Sequence, residues 1–377
     1  MVIAVNASNW GDVNNVEQNI YAAELIKHLA IQYPKNSIIC IIPTDCNSHD
    51  VFPSNVKMVT VKRKNRFGMQ WLYQQQVIIP LLLKKTSPAI IIQPNGVSCL
   101  FTKTPQLLFI NKKALVSFAD SLYWLKGPIQ KFFTSIMLKK AAHIITGSEE
   151  AYMPIQQQYP FLHNQLTLVN GGPYFNALPF QWEEKEVVKQ QYTAGCEYFL
   201  IAVNGVQVND ILTVLKAFSQ FKKWQKSNMK LLITGSIKDQ SGDFFQKLKS
   251  YKYREDIILL ALPTEKELQQ VIGAAYAAIL LPNAEGLSLT IIQRMQSAVP
   301  VIVALNDTGT TIAENAAIQA SLKNLPQLAE YMQLLYRDEK YRETYINRGL
   351  AWSKSFNWDQ SAVSLWEEIT KTVNLSH

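Results

Sequence analysis

The residue types best suited to chemistry fall in one stretch, AEGLSLTIIQRMQSAVPVIV, at residues 284–303. A carboxylate and a glycine, Glu285-Gly286, follow an apolar run at 277–281, and a short amphipathic helix is expected to start near Leu289. The backbone N–H groups of Gly286, Leu287, Ser288 and Leu289 then point outward at a helix N-terminus, where the dipole adds partial positive charge. That arrangement suits a diphosphate. Gly286 lets the backbone approach the ligand closely, and Glu285 can accept hydrogen bonds from hydroxyls beside it. Gln293, one turn into the helix, leans back toward the N-terminus and can reach a second hydroxyl-bearing group. The plain alternative is a strand-to-helix turn with a surface glutamate.

Other chemistries lack their residues. No GxGxxG follows the first strand and no GxxxxGK[ST] occurs, so ordinary dinucleotide or P-loop binding is not indicated. No Asp-x-Asp is present, which argues against a metal–nucleotide site; no metal and no other cofactor is expected. The five histidines form no ligand pattern, and His143, opening an apolar run, reads as a core histidine with its hydrogen bonds satisfied. Cys40, Cys46, Cys99 and Cys196 form no CxxC pair, which fits a reduced, cytoplasmic protein without a metal knuckle. No serine or cysteine nucleophile signature is found.

A chain of 377 residues is too long for one ordinary core, so two domains are expected. No apolar run approaches the roughly 20 residues of a membrane helix, and MVIAV at the N-terminus reads as a first strand, not a signal peptide. The net charge of +8 is confined to residues 1–178, whereas 179–377 balance to zero. Residues 51–119 contain ten basic side chains and no acidic one, including Lys62, Arg63, Lys64 and Arg66. Such a face attracts an anionic surface or ligand, or is simply solvated. No nucleic-acid-binding module surrounds the cluster, so a nucleic-acid partner is not expected.

The elements that must position these residues alternate. Strands are expected at 2–5, 37–42, 56–61, 89–92, 106–110, 143–146 and 166–169, with helices at 16–32, 69–84, 128–142 and 148–158; Pro80 should kink or end the second helix. NGGPYFNALPFQW, residues 170–182, reads as a linker. The alternation then restarts, with strands at 198–203, 229–234, 256–260, 277–281 and 300–304, and helices at 210–224, 241–251 and 265–273. Thr264 and Glu267 form a capping box ahead of the last of these. A helical tail runs from about Leu325, and its final helix, 358–373, carries apolar and aromatic anchors. Two such series imply tandem doubly wound α/β domains.

The order of the pieces resembles the family-4 glycosyltransferases of the GT-B fold over nearly the whole chain. NAEGLSLTIIQRMQSAVPVIV is similar to their EGFGLPxLEAMxxGxPVV segment. HIITGSEEAYMPIQQQYPFLHNQLTLVNGGPYF resembles the end of their N-domain, and YFLIAVNGVQVNDILTVLKAFSQF the first strand and helix of their C-domain. LPTEKELQQVIGAAYAAILLPN resembles VSxEELxxLYxxADxFVxPS, and FNWDQSAVSLWEEI resembles the helix that crosses back to the first domain. The resemblance implies two Rossmann-like domains facing a cleft: an acceptor-side domain at 1–176, a nucleotide-sugar domain at 177–357, and a helix at 358–377 packing back on the first.

Carried over position by position, the resemblance assigns donor binding to Gly286, Leu287, Ser288, Leu289 and Gln293, and places catalytic positions at Glu285 and Asn111. The family has two glutamates eight positions apart; here they are Glu285 and Gln293. Its second glycine and its proline become Ser288 and Thr290. The Arg and Lys that clamp the donor diphosphate fall on Asn204 and Asn209, the Gly-Gly loop on Asn14-Asn15, and a His-Asp pair on Asn111-Lys112. Charge-assisted bonds contribute roughly 1.5–3 kcal/mol each. Losing both cations would therefore cost donor binding about 3–6 kcal/mol, roughly two to four decades.

Two readings stay open. The chain transfers sugar from a UDP- or GDP-sugar to a glycan or lipid-linked acceptor with retention, in the cytoplasm and peripherally on the anionic inner membrane face. Alternatively it is a catalytically silent relative that binds or scaffolds an active enzyme. A sugar epimerase or phosphorylase is a third reading, without a lysine in a suitable cofactor context to support it.

Overall fold

Continuous runs of Ile, Val, Leu and Ala become strands because both of their faces are covered. A computed structural model of the chain describes residues 1–11, 16–46, 52–62, 64, 69–111, 128–175, 178–237, 242–281, 288–305 and 313–375. Its contacts divide the chain into two units: Met1–Gly172 with Phe356–His377, and Pro173–Ser355.

The first unit holds β1 (Val2–Val5), β2 (Ser37–Pro43), β3 (Val56–Val61), β4 (Ile90–Gln93), β5 (Gln106–Phe109), β6 (His143–Thr146) and β7 (Leu166–Leu168). They form a parallel sheet in the order β3-β2-β1-β4-β5-β6-β7. β1 sits in the middle, with Val5 opposite Cys40 on one side and Ile92 on the other. Edge strand β3, VKMVTV, is the polar one of the series and leaves Met58 exposed. The second unit holds β8 (Tyr198–Ala202), β9 (Lys230–Thr234), β10 (Ile257–Leu260), β11 (Ala277–Leu280), β12 (Val301–Leu305) and β13 (Ile318–Ser321). They too are parallel, in the order β10-β9-β8-β11-β12-β13. Phe199, Phe218 and Phe221 anchor its larger core cluster. Two parallel sheets with connecting helices make this a tandem Rossmann-like α/β protein.

The helices are α1 (Val16–Gln32), α2 (69–86), α3 (Pro128–Lys140), α4 (Glu149–Gln158), α5 (Trp182–Thr193), α6 (Val208–Gln225), α7 (Asp243–Lys249), α8 (Glu265–Gly273), α9 (Ser288–Gln296), α10 (Leu325–Arg337), α11 (Glu339–Ser353) and α12 (Trp358–Asn374). Two were not foreseen as such: α5, whose charged WEEKEVVKQQYT has little apolar patterning, and the break between α10 and α11 at Asp338.

Pro80, expected to kink or end α2, does not end it. The helix passes from α (Met69–Tyr73) through one wider π turn (Gln74–Ile78) and back to α (Ile79–Thr86). In a π turn the carbonyl of Gln75 would receive the N–H of residue 80, which proline lacks. The thiol of Cys99 donates to that carbonyl instead, at 3.0 Å. Burial pushes the Cys99 thiol up to about 12, against a smaller lowering by Gln93, so it stays protonated and able to donate.

α12 belongs to the first unit. Trp358 packs against Tyr21 of α1, with ring centroids 5.9 Å apart, and Trp366 stacks on Tyr33 at 4.4 Å. The Tyr21 hydroxyl donates to the Val169 carbonyl, and Ser361 to that of Asn170. Gly172 explains one glycine of the NGG triplet: a Cβ there would sit 2.6 Å from Trp358 Cδ1. Removing the buried indole with Trp358→Ala should cost about 3–5 kcal/mol. Urea denaturation measures it, and a loss under about 1 kcal/mol would show that α12 is held by other contacts.

His143 is a second anchor. Its Nε2 lies 2.8 Å from Thr167 Oγ1 and 3.2 Å from Glu368 Oε2 on α12, and Lys371 pairs with Glu368 at 2.9 Å. Burial lowers its pKa more than Glu368 raises it, and Lys371 lowers it further. The folded state therefore favours neutral imidazole. This contribution to stability is present above the ordinary imidazole pKa and is lost as pH falls through the folded one. Acidification from neutral pH to mildly acid should lower the urea midpoint more in the parent protein than in His143→Gln.

Candidate functional site

In each sheet the first strand lies beside a strand whose connection leaves in the opposite direction. The pairs are β1/β4 and β8/β11, and ligands of doubly wound sheets bind beyond the carboxyl ends of such pairs.

At β8/β11 the register sets Ile201 opposite Ile279, so the carboxyl ends of both strands lie side by side. The turn after β8 carries Asn204. Its Oδ1 accepts the Ser236 N–H at 2.8 Å and so bridges to the turn after β9. Gly235 must be glycine there, with φ +103 and an imagined Cβ 2.6 Å from that same oxygen. Asn209 lies exposed in the first turn of α6, where its carbonyl accepts from Thr213. Both asparagines assigned to the cation positions are thus neutral, and one carbonyl is engaged within the fold.

The chain after β11 leads to α9. Glu285, Gly286 and Leu287 lie outside the described residues, as do Asn14, Asn15 and Lys112. Ser288 opens α9 and Leu289 is buried in its first turn. Gln293, read from sequence as reaching a ligand hydroxyl, is only 1% exposed, and its Oε1 accepts the Phe175 N–H at 3.2 Å. Its Nε2 is buried with no hydrogen-bond partner among the described residues. The side chain therefore ties α9 to the segment that opens the second unit. A carboxylate with only that N–H for a partner would carry the cost of a buried charge. Gln293→Leu should destabilise the protein by about 1–3 kcal/mol by orphaning the Phe175 N–H. Urea denaturation tests this; unchanged stability with weakened nucleotide binding would instead mark the amide as ligand-facing.

The β1/β4 end holds a group the sequence did not single out. Asn6 follows β1, and its Nδ2 donates to Gln75 Oε1 at 2.6 Å and to Gln93 Oε1 at 2.8 Å. Gln75 Nε2 donates to Ser8 Oγ, and Asn95 Nδ2 to Gln75 Oε1. Asn9 Oδ1 accepts from Trp71 Nε1 at 3.0 Å, while Gln18 Nε2 donates to the carbonyls of Pro94 and Phe109. The available signal was the sudden run of amides after apolar strands, in VIAVNASNW and IIIQPN. The π turn that puts Gln75 at the centre has no such signature. Asn111, assigned a catalytic place, follows β5 and is half-buried. Among the described residues no group of three His, Cys, Asp or Glu side chains could hold a metal ion, and no helix is long and apolar enough to cross a membrane.

Residues 184–352 match the family model described as glycosyl transferases group 1. No curated protein matches in sequence. Among solved structures, a glycosyltransferase from Rickettsia africae is 14% identical with a TM-score of 0.72, over 99% of this chain and 98% of that one. Sucrose-phosphate synthase from Thermosynechococcus elongatus is 16% identical with a TM-score of 0.70, over all of both chains. The Anabaena protein HepE, solved with UDP and glucose, is 12% identical with a TM-score of 0.66, over 98% of this chain and 100% of that one. The fold is the GT-B glycosyltransferase fold these proteins share.

Proposed function

We propose that the protein transfers a sugar from a UDP- or GDP-sugar to a glycan or lipid-linked acceptor, with retention of configuration, and belongs to the family-4 glycosyltransferases. The observation that carries this reading is the pairing of β8 with β11. It brings the Asn204 turn beside the strand that leads through Glu285 and Gly286 into the N-terminus of α9. A diphosphate there would meet backbone N–H groups and the positive end of the helix. Glu285 would orient the sugar hydroxyls, and no metal is needed. The group 1 match across 184–352 and the UDP in the HepE structure support a nucleotide-sugar donor.

The acceptor side falls to the first unit, where Asn111 directly follows β5 and Asn14 and Asn15 lie in sequence between β1 and α1. Lys57, Lys62 and Lys64, with exposed Met58, Tyr73, Ile78 and Leu81 on β3 and α2, support a peripheral contact with an anionic cytoplasmic membrane face.

A second reading rests on Asn204 and Gln293, neutral at the family's charged positions and bonded within the fold. On it the chain binds ligand but does not turn it over. Calorimetry with UDP, GDP and their sugars, followed by an assay for donor hydrolysis, separates the two. Transfer predicts nucleotide binding and slow hydrolysis of one donor, abolished by Glu285→Ala. Binding without turnover, unchanged in Asn204→Arg/Asn209→Lys, would establish the silent relative. No nucleotide binding at millimolar concentration would remove the transferase reading.

A further inference from the structure

The two sheets end in four edge strands, β3, β7, β10 and β13. A solitary protein blunts such edges with charge, polarity or brevity. Lys57 does so on β3, Gln319 stands on β13, and β7 is three residues with Thr167 at its centre. β10, IILL, has no polar side chain and no proline. Ile257 packs on the larger core cluster of the second unit, and Ile258 and Leu260 on the smaller one. Leu259, on the same face as Ile257, stays 41% exposed, and the apolar run continues through Ala261 to Leu262, 86% exposed. On the Ile257 face, α7 sends Phe244 and Leu248 into the core and leaves Phe245 46% exposed.

The backbone of this edge is self-complementary. The Gly235 N–H donates to the Leu260 carbonyl at 3.1 Å, so Leu260 and, by alternation, Ile258 face β9. Ile257 and Leu259 therefore face outward. The Ile257 N–H donates back to the Arg254 carbonyl. The Ile257 carbonyl and both backbone groups of Leu259 have no backbone partner among the described residues. A second β10 laid antiparallel with Leu259 opposite Leu259 matches this set. The two leucines then exchange both of their bonds, with Cα atoms about 5.5 Å apart. Each Ile257 carbonyl faces Ala261 of the other copy, in register to receive its N–H. The charges agree with the same direction. Lys252, Arg254 and Glu255 make the amino flank of β10 net positive, and Glu265, Lys266 and Glu267 make the carboxyl flank net negative. Asp256 does not alter this, because Lys222 and Lys230 hold it. Antiparallel pairing sets unlike flanks together, and parallel pairing sets like ones together.

We propose that β10 is an interaction surface for a second copy of this chain, the two strands pairing antiparallel about a two-fold axis between their Leu259 residues. The pairing joins two six-stranded sheets into one and covers both Leu259 side chains. A ladder this short makes the association reversible. It goes beyond the transfer reading and does not depend on it, since the pairing needs neither donor nor acceptor.

The test is sedimentation velocity on the full chain from micromolar to submillimolar concentration. The parent protein should pass from monomer to dimer and stop there. Leu259→Lys places a charge on the edge, and Leu259→Pro removes the outward N–H without touching the bonds to β9. Each should weaken the dimer by about tenfold or more, whereas Met58→Lys on the β3 edge should leave it unchanged. Urea midpoints show whether each variant is folded. Leu259→Cys reports the register directly: the expected Cα separation suits a disulfide, so mild oxidation should link two copies through residue 259, with the parent and its half-exposed Cys46 and Cys196 as the control. A protein that stays monomeric, or that grows into larger aggregates, would overturn the proposal. So would a dimer that tolerates both Leu259→Lys and Leu259→Pro, or one broken by Met58→Lys, because its interface then lies elsewhere. If neither substituted strand folds, the Leu259→Cys cross-link decides alone, its presence supporting the antiparallel pair and its absence overturning it.

Discussion

Parallel strands cannot be joined by a tight turn, and this constraint organises the whole protein. Each strand must return by a crossover, and crossovers in one sheet keep one hand. A sheet that grows outward in both directions from its first strand then contains one neighbouring pair whose connections part. Here these pairs are β1/β4 and β8/β11. Asn6 and Asn95 follow the first pair, while Asn204 and the strand-to-helix turn before α9 follow the second. The candidate chemistry depends on this geometry before it depends on any particular side chain.

The first pair shows how far hydrogen-bond accounting shapes a site. Buried amides must be matched donor to acceptor, and Asn6, Gln75, Gln93, Gln106 and Asn95 match one another in a chain of bonds. Gln75 reaches the centre because α2 widens by one π turn ahead of Pro80, and Cys99 takes the carbonyl that proline leaves open. A proline in the middle of a helix thus helps define the polar end of a sheet two elements away.

The second unit deploys charge in a contrasting way. Lys222 and Lys230 both bond Asp256, at 2.8 and 2.9 Å, beside the amino ends of β9 and β10. Burial raises the Asp256 pKa, but the hydrogen bonds and charges of the two lysines outweigh it and hold the carboxyl below its usual range. Cations there brace the sheet at the end opposite Asn204. Asn204 at the carboxyl end, and Gln293 buried within α9, are neutral and bonded to backbone N–H groups. Any anion at this end would therefore lean on backbone amides, the helix dipole and residues outside those two positions.

The sequence by itself determined β1 to β12, the α/β alternation and the α8 capping box, but not β13, whose short IQAS lacks a continuous apolar run. Continuous apolar runs and local caps are properties of neighbouring residues, and the Thr264–Glu267 pair is reproduced with both of its bonds. Sequence motifs also sufficed to recognise the GT-B fold, because five segments occur in the right order. It could not foresee α5, whose charged WEEKEVVKQQYT carries little apolar spacing. Nor could it assign Gln293 to Phe175, 118 positions earlier, or gather Asn6, Asn9 and Gln18 around one cavity. Those outcomes depend on which strands become neighbours and where each amide finds its partner. Only the tertiary structure decides that, because donors and acceptors are satisfied through space and not along the chain.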